Sequence, residues 1–462
     1  MWFRRDLRLG DNRALHRGVA LANGDALHAF FGFSARLMAK GSPQRISYMV
    51  QALTSLDRSL GNSLNFSYGD PVADVVRFAG SVGAKTVVAT RDFSTLGCER
   101  DRRAGALLKS HGIDFQLGDS PYLVAPGKVA REKGQWYRVF TPYYNGVLSH
   151  GFEAPLGIPL LEIAPRGLVD AEAQRALDAP PQFDSLAFPA SEDAALQRLE
   201  EFLDRGAANY KLDRNDPFLD GTSRLSPAIR FGVIHPRQIA QAANRVPGGE
   251  EVLRQVIWRD FFAQVGYFSP LSTWENFDRR YEMMAWDDPS VATVAQRLQA
   301  WKTGTTGYPI VDAGMRQLVQ TGWMHNRVRM IAASFLIKDL HVDWKIGAQF
   351  YLEHLIDGDI ASNNLSWQWV AGSGTDSAPY FRVFNPVLQS KKFDPSGRYI
   401  AKYLPELAKL PARFIHEPWA ARAHGLLGED EYPDPIVAHD IERTEALSRY
   451  AQMIEASRSP QL

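Results

Sequence analysis

Residues 326–345 read NRVRMIAASFLIKDLHVDWK, and residues 357–369 read DGDIASNNLSWQW. Both stretches have the apolar content of buried helices, yet Asn326, Arg329, Asp357, Asp359, Asn363 and Asn364 are set among the apolar residues. Leaving such amides and charges unpaired inside a protein costs on the order of several kcal/mol. They are therefore expected to pair with each other and with a large polar ligand. Trp344, Trp367 and Trp369 lie in the same region. Buried polar groups beside indoles point to an aromatic cofactor and to electron transfer.

Outward from this region the pattern stays helical from about residue 195 to the end. Segments 194–205, 226–245, 250–265, 309–321, 326–340, 346–356, 359–369 and 436–457 all fit helical spacing. The first 120 residues differ: strand-like segments at 26–32, 63–67, 84–90 and 113–117 alternate with helical ones near 11–22, 45–60, 71–82 and 98–111. That alternation predicts a doubly wound parallel sheet, α/β and Rossmann-like, with residues 2–5 as a clipped first strand. No GxGxxG follows a strand, so a dinucleotide site of that kind lacks support. Between them, residues 121–189 hold nine prolines and no sustained periodicity. The expected organisation is an α/β domain over 1–120, a connector over 121–194 and an all-helical domain over 195–462.

Composition narrows the function classes. The 462 residues carry 52 basic and 52 acidic side chains, which argues against a generally basic nucleic-acid-coating protein but permits a local basic groove. No run approaches the roughly 18 apolar residues of a membrane span, and the N-terminus is charged at once. Cys98 is the only cysteine, so no intrachain disulfide is expected and a reducing cytoplasm fits. Nine of the eleven tryptophans lie after residue 250, which places the chemistry there.

Four constellations could carry it. Gly221-Thr222-Ser223-Arg224-Leu225-Ser226 precedes a helix and reads either as a phosphate cradle or as an ordinary N-cap. Gln255, Trp258, Arg259 and Phe262 share a helix face; they could read a planar ring and a phosphate, or be a core tryptophan beside a solvated arginine. Asn326, Arg329 and Met330 share another face, and Arg329 has a potential partner in Asp357. Asp357-Gly358-Asp359 offers two carboxylates, without the further ligands a metal site needs; Asn363 and Trp367 follow at i, i+4. There is no HxxxH and no GxSxG, so neither a zinc enzyme nor a hydrolytic triad is supported, and His325 reads as structural.

The sequence resembles the cryptochrome/photolyase family, most closely the class I cyclobutane pyrimidine dimer photolyases. The resemblance spans nearly the whole chain. It rests on WFRRDLRLGDNRAL (2–15), GTSRLSPAIRFG (221–232), IWRDFF (257–262), TGYPIVDAGMRQL (306–318), NRVRMIAASFLIKDLHVDWK (326–345) and DGDIASNNLSWQWVAGSGTDSAPYFRVFNP (357–386). It implies an antenna domain followed by a helical domain holding FAD. By the family pattern, Tyr210 and Thr222 through Ser226 would hold the phosphates and ribityl chain. Arg329 and Asp357 would form an ion pair over the isoalloxazine, with Gly358 and Asp359 beside the ring. Asn363 would face flavin N5 and favour full reduction by offering a hydrogen-bond partner. Gln255, Trp258, Asn326, Met330 and Trp369 would line the lesion pocket. The 6-4 photolyases carry histidines where this chain has Asn326 and Met330, which argues for dimer repair. The implied reaction is light-driven electron transfer from reduced FAD to a flipped-out pyrimidine dimer. Arg214, Arg259, Arg327, Gln389, Lys391 and Lys392 would contact the DNA backbone.

Two departures from the family pattern stand out. Gln255 replaces a glutamate that donates a hydrogen bond to the dimer; an amide can donate but cannot supply a proton. Val291 stands where the electron-transfer chain through Trp367 and Trp344 would end in a surface tryptophan. This predicts slow photoreduction, or another terminal donor such as Trp286, Trp301 or a tyrosine. At the antenna position Cys98-Glu99-Arg100 retains only the glutamate of an Asn-Glu pair, leaving a folate, a deazaflavin or an empty site open. The resemblance implies a monomeric DNA-repair lyase, with a cryptochrome-like blue-light photoreceptor of weak repair activity as the alternative.

Overall fold

The computed structural model describes residues 1–131, 134–182, 188, 190–376 and 381–458. Residues 377–380 of the 357–386 motif, and parts of the 121–194 segment, lie outside them. The chain divides into two compact units: Met1–Tyr210 with Thr222–Pro270, and Lys211–Gly221 with Leu271–Leu462.

The first unit is built on parallel strands. β1 (Ala29–Ser34) pairs with β2 (Leu64–Gly69), and β3 (Thr86–Thr90) pairs with β4 (Asp114–Gly118). Residues 1–3 join the two pairs, as the clipped first strand anticipated: Phe30 N donates to Met1 O, Phe3 N to Phe30 O, and Trp2 N to Val88 O. The strand order is therefore β2, β1, residues 1–3, β3, β4, and it reverses between residues 1–3 and β3. Such a switch point opens a crevice at the carboxyl ends of the strands. Here charged side chains occupy its floor. Arg4 pairs with Asp101, Thr90 Oγ1 donates to Asp6 Oδ2 at 2.6 Å, and Arg100 lies 3.3 Å from Asp92. Serine and asparagine caps start the surrounding helices: Asn12 before Arg13–Ala22, Ser42 before Pro43–Ser59 and Ser94 before Thr95–Ser110.

Two regions differ from the sequence expectation. The proline-rich segment contains helices Phe140–His150 and Ala171–Asp178, and its 168–170 stretch runs along the edge of β2. Phe140, Tyr143 and Val147 are the buried positions of the first helix; its Thr, Pro, Tyr and Gly content masks that spacing. The single helix anticipated over 226–245 is two, Ser226–Phe231 and Pro236–Ala243. Gly232 between them has φ +68°, and a Cβ there would lie 2.0 Å from Arg5 O. The backbone just past the first strand runs too close for any side chain.

The second unit is helical. Its main elements are Ala292–Thr303, Pro309–Thr321, Asn326–Lys338, Trp344–His354, Ile360–Ala371, Pro386–Phe393, Arg398–Tyr403 and His439–Ala456. Trp301, Trp344, Met315, Phe335 and Leu336 lie at the centre of its core. The helix at Ala292–Thr303 was not anticipated, although Val294, Leu298 and Trp301 recur at helical spacing and are its buried face. Gly347 permits one close approach: a Cβ there would meet Trp367 Cη2 at 2.2 Å and Leu336 Cδ2 at 2.5 Å. The ring of Trp367 thus rests on the backbone of the Trp344–His354 helix. Among the described residues no helix is long and apolar enough to cross a membrane.

Candidate functional site

In the helical unit the Asn326–Lys338 helix begins at the His325 cap, whose Nδ1 accepts from Arg327 N at 3.2 Å. His325 thus has a structural task as the cap of this helix. One turn on, Arg329 donates through Nε to Met324 O at 2.8 Å and through a terminal nitrogen to both Asp357 oxygens at 3.0 and 3.3 Å. The Arg329–Asp357 pair anticipated from sequence is formed. Asp357 is 7% exposed and Arg329 23%, so the guanidinium leads out of the core with its carboxylate beneath it.

Asp359 caps the Ile360–Ala371 helix, its Oδ1 accepting from Ser362 N at 3.2 Å. Asn363 sits one turn later. Both hydrogens of its Nδ2 are committed, one to Ala348 O at 3.0 Å and one to Asn364 Oδ1 at 2.8 Å. Asn364 Nδ2 in turn donates to Thr273 O at 2.6 Å. Backbone carbonyls can only accept, so this chain fixes the orientation of both amides. The Asn363 Oδ1 is left with no partner among the described residues, and it can serve a ligand only as an acceptor.

Three tryptophans of the same region have contrasting surroundings. Trp367 is buried, edge-on to Tyr351 at 4.8 Å and to Trp301 at 6.2 Å, and its Nε1 has no hydrogen-bond partner among the described residues. Trp344 is also buried but donates to Asn276 Oδ1 at 2.9 Å. Trp369 is half-buried and donates to Asp376 O at 3.1 Å. Asn326 is exposed with its amide 3.9 Å from Met330 Sδ, so the two occupy one face as expected. Val291 is an exposed cap residue of the Ala292–Thr303 helix.

A cationic group lies in the same unit. Arg327 donates to Asn215 Oδ1 at 2.5 Å and packs over Phe393 at 4.3 Å, with Lys392 over the same ring at 5.3 Å. Burial lowers the Arg327 pKa, and the charges of Arg214 and Arg382 lower it further. Gln389 is half-buried on the Pro386–Phe393 helix, and Lys391 is paired with Glu417.

The first unit holds the remaining candidates. Gln255 is half-buried on the Gly249–Phe268 helix, and its amide makes no hydrogen bond to the described residues. Trp258 is stacked face to face on Phe140 with centroids 3.7 Å apart. Arg259 donates to Pro121 O at 2.8 Å and lies over Tyr122 at 4.4 Å, so its guanidinium pins the 120–124 loop. The neighbouring Asp260 accepts from Val124 N at 2.8 Å, and burial pushes its carboxyl up to about 7 despite Arg259. The loop anchor was invisible in sequence because Asp260 and Val124 are 136 residues apart.

Tyr210 is half-buried, its ring edge-on to Phe202 at 5.4 Å. The 222–226 segment is not an N-cap of the ordinary kind. Leu225 occupies the cap position without a side-chain hydrogen bond, and Arg224 has φ +52°. Arg198 holds the carbonyls of Thr222 and Ser223, each at 3.0 Å, so those residues turn away from capping while exposed Ser226 starts the helix. Glu99 is exposed and paired with Arg102 at 2.6 Å.

Comparison with known proteins agrees with this arrangement. The family described as "DNA photolyase" matches residues 1–159, and that described as "FAD binding domain of DNA photolyase" matches residues 252–452. A deoxyribodipyrimidine photo-lyase of Salmonella typhimurium is 38% identical, the match covering 97% of this chain and 98% of that protein. The one from Escherichia coli is 37% identical over the same shares. Among solved structures, a bacterial class III photolyase from Agrobacterium tumefaciens superposes with a TM-score of 0.89 at 33% identity, covering 98% of this chain and 97% of that one. A cryptochrome of Synechocystis sp. PCC6803 superposes with a TM-score of 0.86 at 29% identity, covering 97% and 98%. An α/β unit on a short parallel sheet, a helical unit with a half-buried Arg329–Asp357 pair and matches across almost the entire length lead to one conclusion: the chain belongs to the DNA photolyase family.

Proposed function

We propose that this protein is a deoxyribodipyrimidine photo-lyase that uses FAD and light to split cyclobutane pyrimidine dimers in DNA. The observation that carries the reading is the fixed Asn363 amide, whose free acceptor Oδ1 suits the N–H of a reduced flavin ring. The residues present fit FAD. Arg329, anchored by Asp357 and Met324 O, would meet the isoalloxazine; Asp359 and Gly358 would flank it; Tyr210 and Thr222 through Ser226 would take the phosphates and ribityl hydroxyls. Bound and reduced, FAD supplies a light-activated one-electron donor.

The chain's own part is to hold and shield. The amide network through Asn364 and Thr273 O keeps Asn363 from turning a donor toward the ring. The Asp357 carboxylate keeps the guanidinium of Arg329 in place. Asn326, Met330, Trp369, Trp258 and Gln255 would receive the flipped-out dimer. Met330 and the indoles give it an apolar, polarisable bed, and Asn326 and Gln255 supply amide donors to its carbonyls. Arg214, Arg327, Gln389 and Lys392 would contact phosphates; Arg214 and Arg382 already crowd Arg327, and a polyanion relieves that repulsion. Arg259 is committed to Pro121 O and would reach DNA only through its remaining donors. Lys391 is engaged with Glu417. Trp367 and Trp344 would carry electrons to an oxidised flavin. The protein would act as a monomer in the cytoplasm.

The test is direct. Chemically reduced holoenzyme is illuminated with oligothymidine containing dimers, and the recovery of thymine absorbance is followed. Recovery that requires both light and enzyme is expected; none under strong blue light refutes the enzyme. Gln255→Glu is expected to raise the rate per absorbed photon, since a carboxylic acid is the stronger hydrogen-bond donor to the dimer.

A further inference from the structure

The environments of Trp367 and Trp344 differ in one respect that bears on electron flow. Both indoles are buried, but the Trp367 N–H has no hydrogen-bond partner among the described residues, while the Trp344 N–H donates to Asn276 Oδ1 at 2.9 Å. An indole N–H only donates, so the Asn276 amide presents its oxygen to Trp344 and its nitrogen to the far side. On that side a single carboxylate oxygen, Glu282 Oε1, accepts from Asn276 Nδ2 at 3.1 Å and from Asn276 N at 3.2 Å. Asn276 is 3% exposed. A buried amide thus links a carboxylate to an indole.

We propose that Glu282 and Asn276 form a relay that stabilises the one-electron-oxidised state of Trp344 and makes it the resting point of the electron hole in this chain. The inference rests on the electron-transfer reading of Trp367 and Trp344 above. The carboxylate polarises the amide, the amide oxygen becomes more negative, and its hydrogen bond to the indole strengthens as the ring gains positive charge. Trp367 has no such acceptor among the described residues, so the step from Trp344 to Trp367 runs downhill.

Two features oppose the relay, and both are weaker. Trp344 opens its helix, where the macrodipole disfavours a cation. That effect is partly cancelled by the cap carboxylate of Asp343. Lys345 and Arg279 lie 3.7 and 3.8 Å from the Glu282 carboxylate, but their side chains are exposed and screened. The net result at Glu282 agrees. Burial raises its pKa, yet the Asn276 hydrogen bonds and the two cations outweigh this and leave the carboxyl below its usual range.

The electron balance is simple. Bound and oxidised, FAD would supply a light-activated one-electron oxidant, and Trp367 would give up one electron to it. One electron then moves from the Trp344 ring to Trp367. The Trp344 N–H proton stays, because an amide oxygen is too weak a base to take it. A soluble thiol finally returns the electron to Trp344. The relay gives the chain a stopping point at the second indole, where Val291 offers no third one.

The test uses oxidised holoenzyme, a laser flash and two readouts: the lifetime of the tryptophan radical by transient absorption, and its indole hyperfine pattern by electron paramagnetic resonance. Repair by chemically reduced enzyme serves as the control and is expected to be unchanged in Asn276→Leu and Glu282→Gln. Asn276→Leu is expected to shorten the radical lifetime about tenfold, the equivalent of ~59 mV for a one-electron couple. Glu282→Gln is expected to shorten it severalfold, and its side chain is 40% exposed, so folding is preserved. If Trp344→Phe abolishes the long-lived radical while both relay variants match the parent, the relay is wrong and the tryptophan chain stands. If Trp344→Phe changes nothing, the chain reading itself fails. Should Asn276→Leu not fold, an unaltered lifetime in Glu282→Gln alone overturns the relay.

Discussion

Replacing Arg329 by methionine tests the proposed flavin site at the Arg329–Asp357 pair. The substitution keeps the aliphatic length but removes three hydrogen bonds: one to Met324 O and two to Asp357. The loss of the carbonyl bond is modest, about 1 kcal/mol. The larger effect is on Asp357, whose carboxylate stays 7% exposed with its cation gone. Breaking a fully buried pair costs about 3–5 kcal/mol. Arg329 is 23% exposed, so solvent already screens part of the interaction and about 2–3 kcal/mol is the appropriate range. For a helical unit of this size that corresponds to a fall in Tm of roughly 4–12 °C. Flavin-free protein is followed by circular dichroism through thermal unfolding, and FAD affinity by fluorescence titration. The expected outcome is a lower Tm together with at least a tenfold weaker FAD Kd. An unchanged Tm with unchanged affinity would refute both the buried pair and its place at the ring. A lower Tm with unchanged affinity would leave the pair intact and remove the ring contact.

Other perturbations have defined outcomes. Gly347→Ala places a methyl 2.2 Å from the Trp367 ring and 2.5 Å from Leu336, so it is expected to destabilise by about 1–3 kcal/mol in urea unfolding and to alter Trp367 fluorescence. Trp344→Phe is expected to slow photoreduction of the oxidised flavin, measured as the rate of bleaching under blue light with a thiol present. Asp312 accepts from Thr306, Gly307 and Tyr432, and burial raises its pKa to about 6. A carboxyl raised on folding binds a proton more tightly in the folded state, so its contribution to stability falls as pH rises from about 4 to about 6. Asp312→Asn lacks this titration. Its stability deficit relative to the parent is therefore expected to be about 1.4 kcal/mol smaller at pH 7 than at pH 5, read from paired urea curves.

Much of the candidate site is legible in the sequence. The 326–338 and 360–371 helices fall where the apolar spacing put them, and Arg329 meets the Asp357 chosen for it, because a buried guanidinium has few alternatives. Local signals also located all four strands of the first unit to within a few residues. Where the expectation failed, a tertiary contact overrode a local pattern. The 226–245 helix breaks because another segment's backbone abuts Gly232. The Phe140–His150 helix forms in a proline-rich stretch because Phe140 stacks on Trp258 and Phe261 covers Tyr143.

The sequence by itself therefore determined the alternation of strands and helices, set by spacing within one segment, while its motifs carried the family resemblance and with it the chemistry. Of the six polar residues expected inside, only Asn364 is buried; Arg329, Asp357, Asp359 and Asn363 are half-buried and Asn326 is exposed, because local apolar spacing does not say how far a helix face is covered. The tertiary structure alone decided which amide hydrogens are spent and which acceptor remains. Asn363 is oriented by a carbonyl 15 residues away, Asn364 by one 91 residues away, and Trp344 meets Asn276 across 68. Hydrogen-bond direction depends on the partner facing each group in space, and no local periodicity encodes that partner. The 326–369 region thus led in sequence to the expectation of a polar ligand, and only the fold showed which of its polar atoms are already spent on the protein itself.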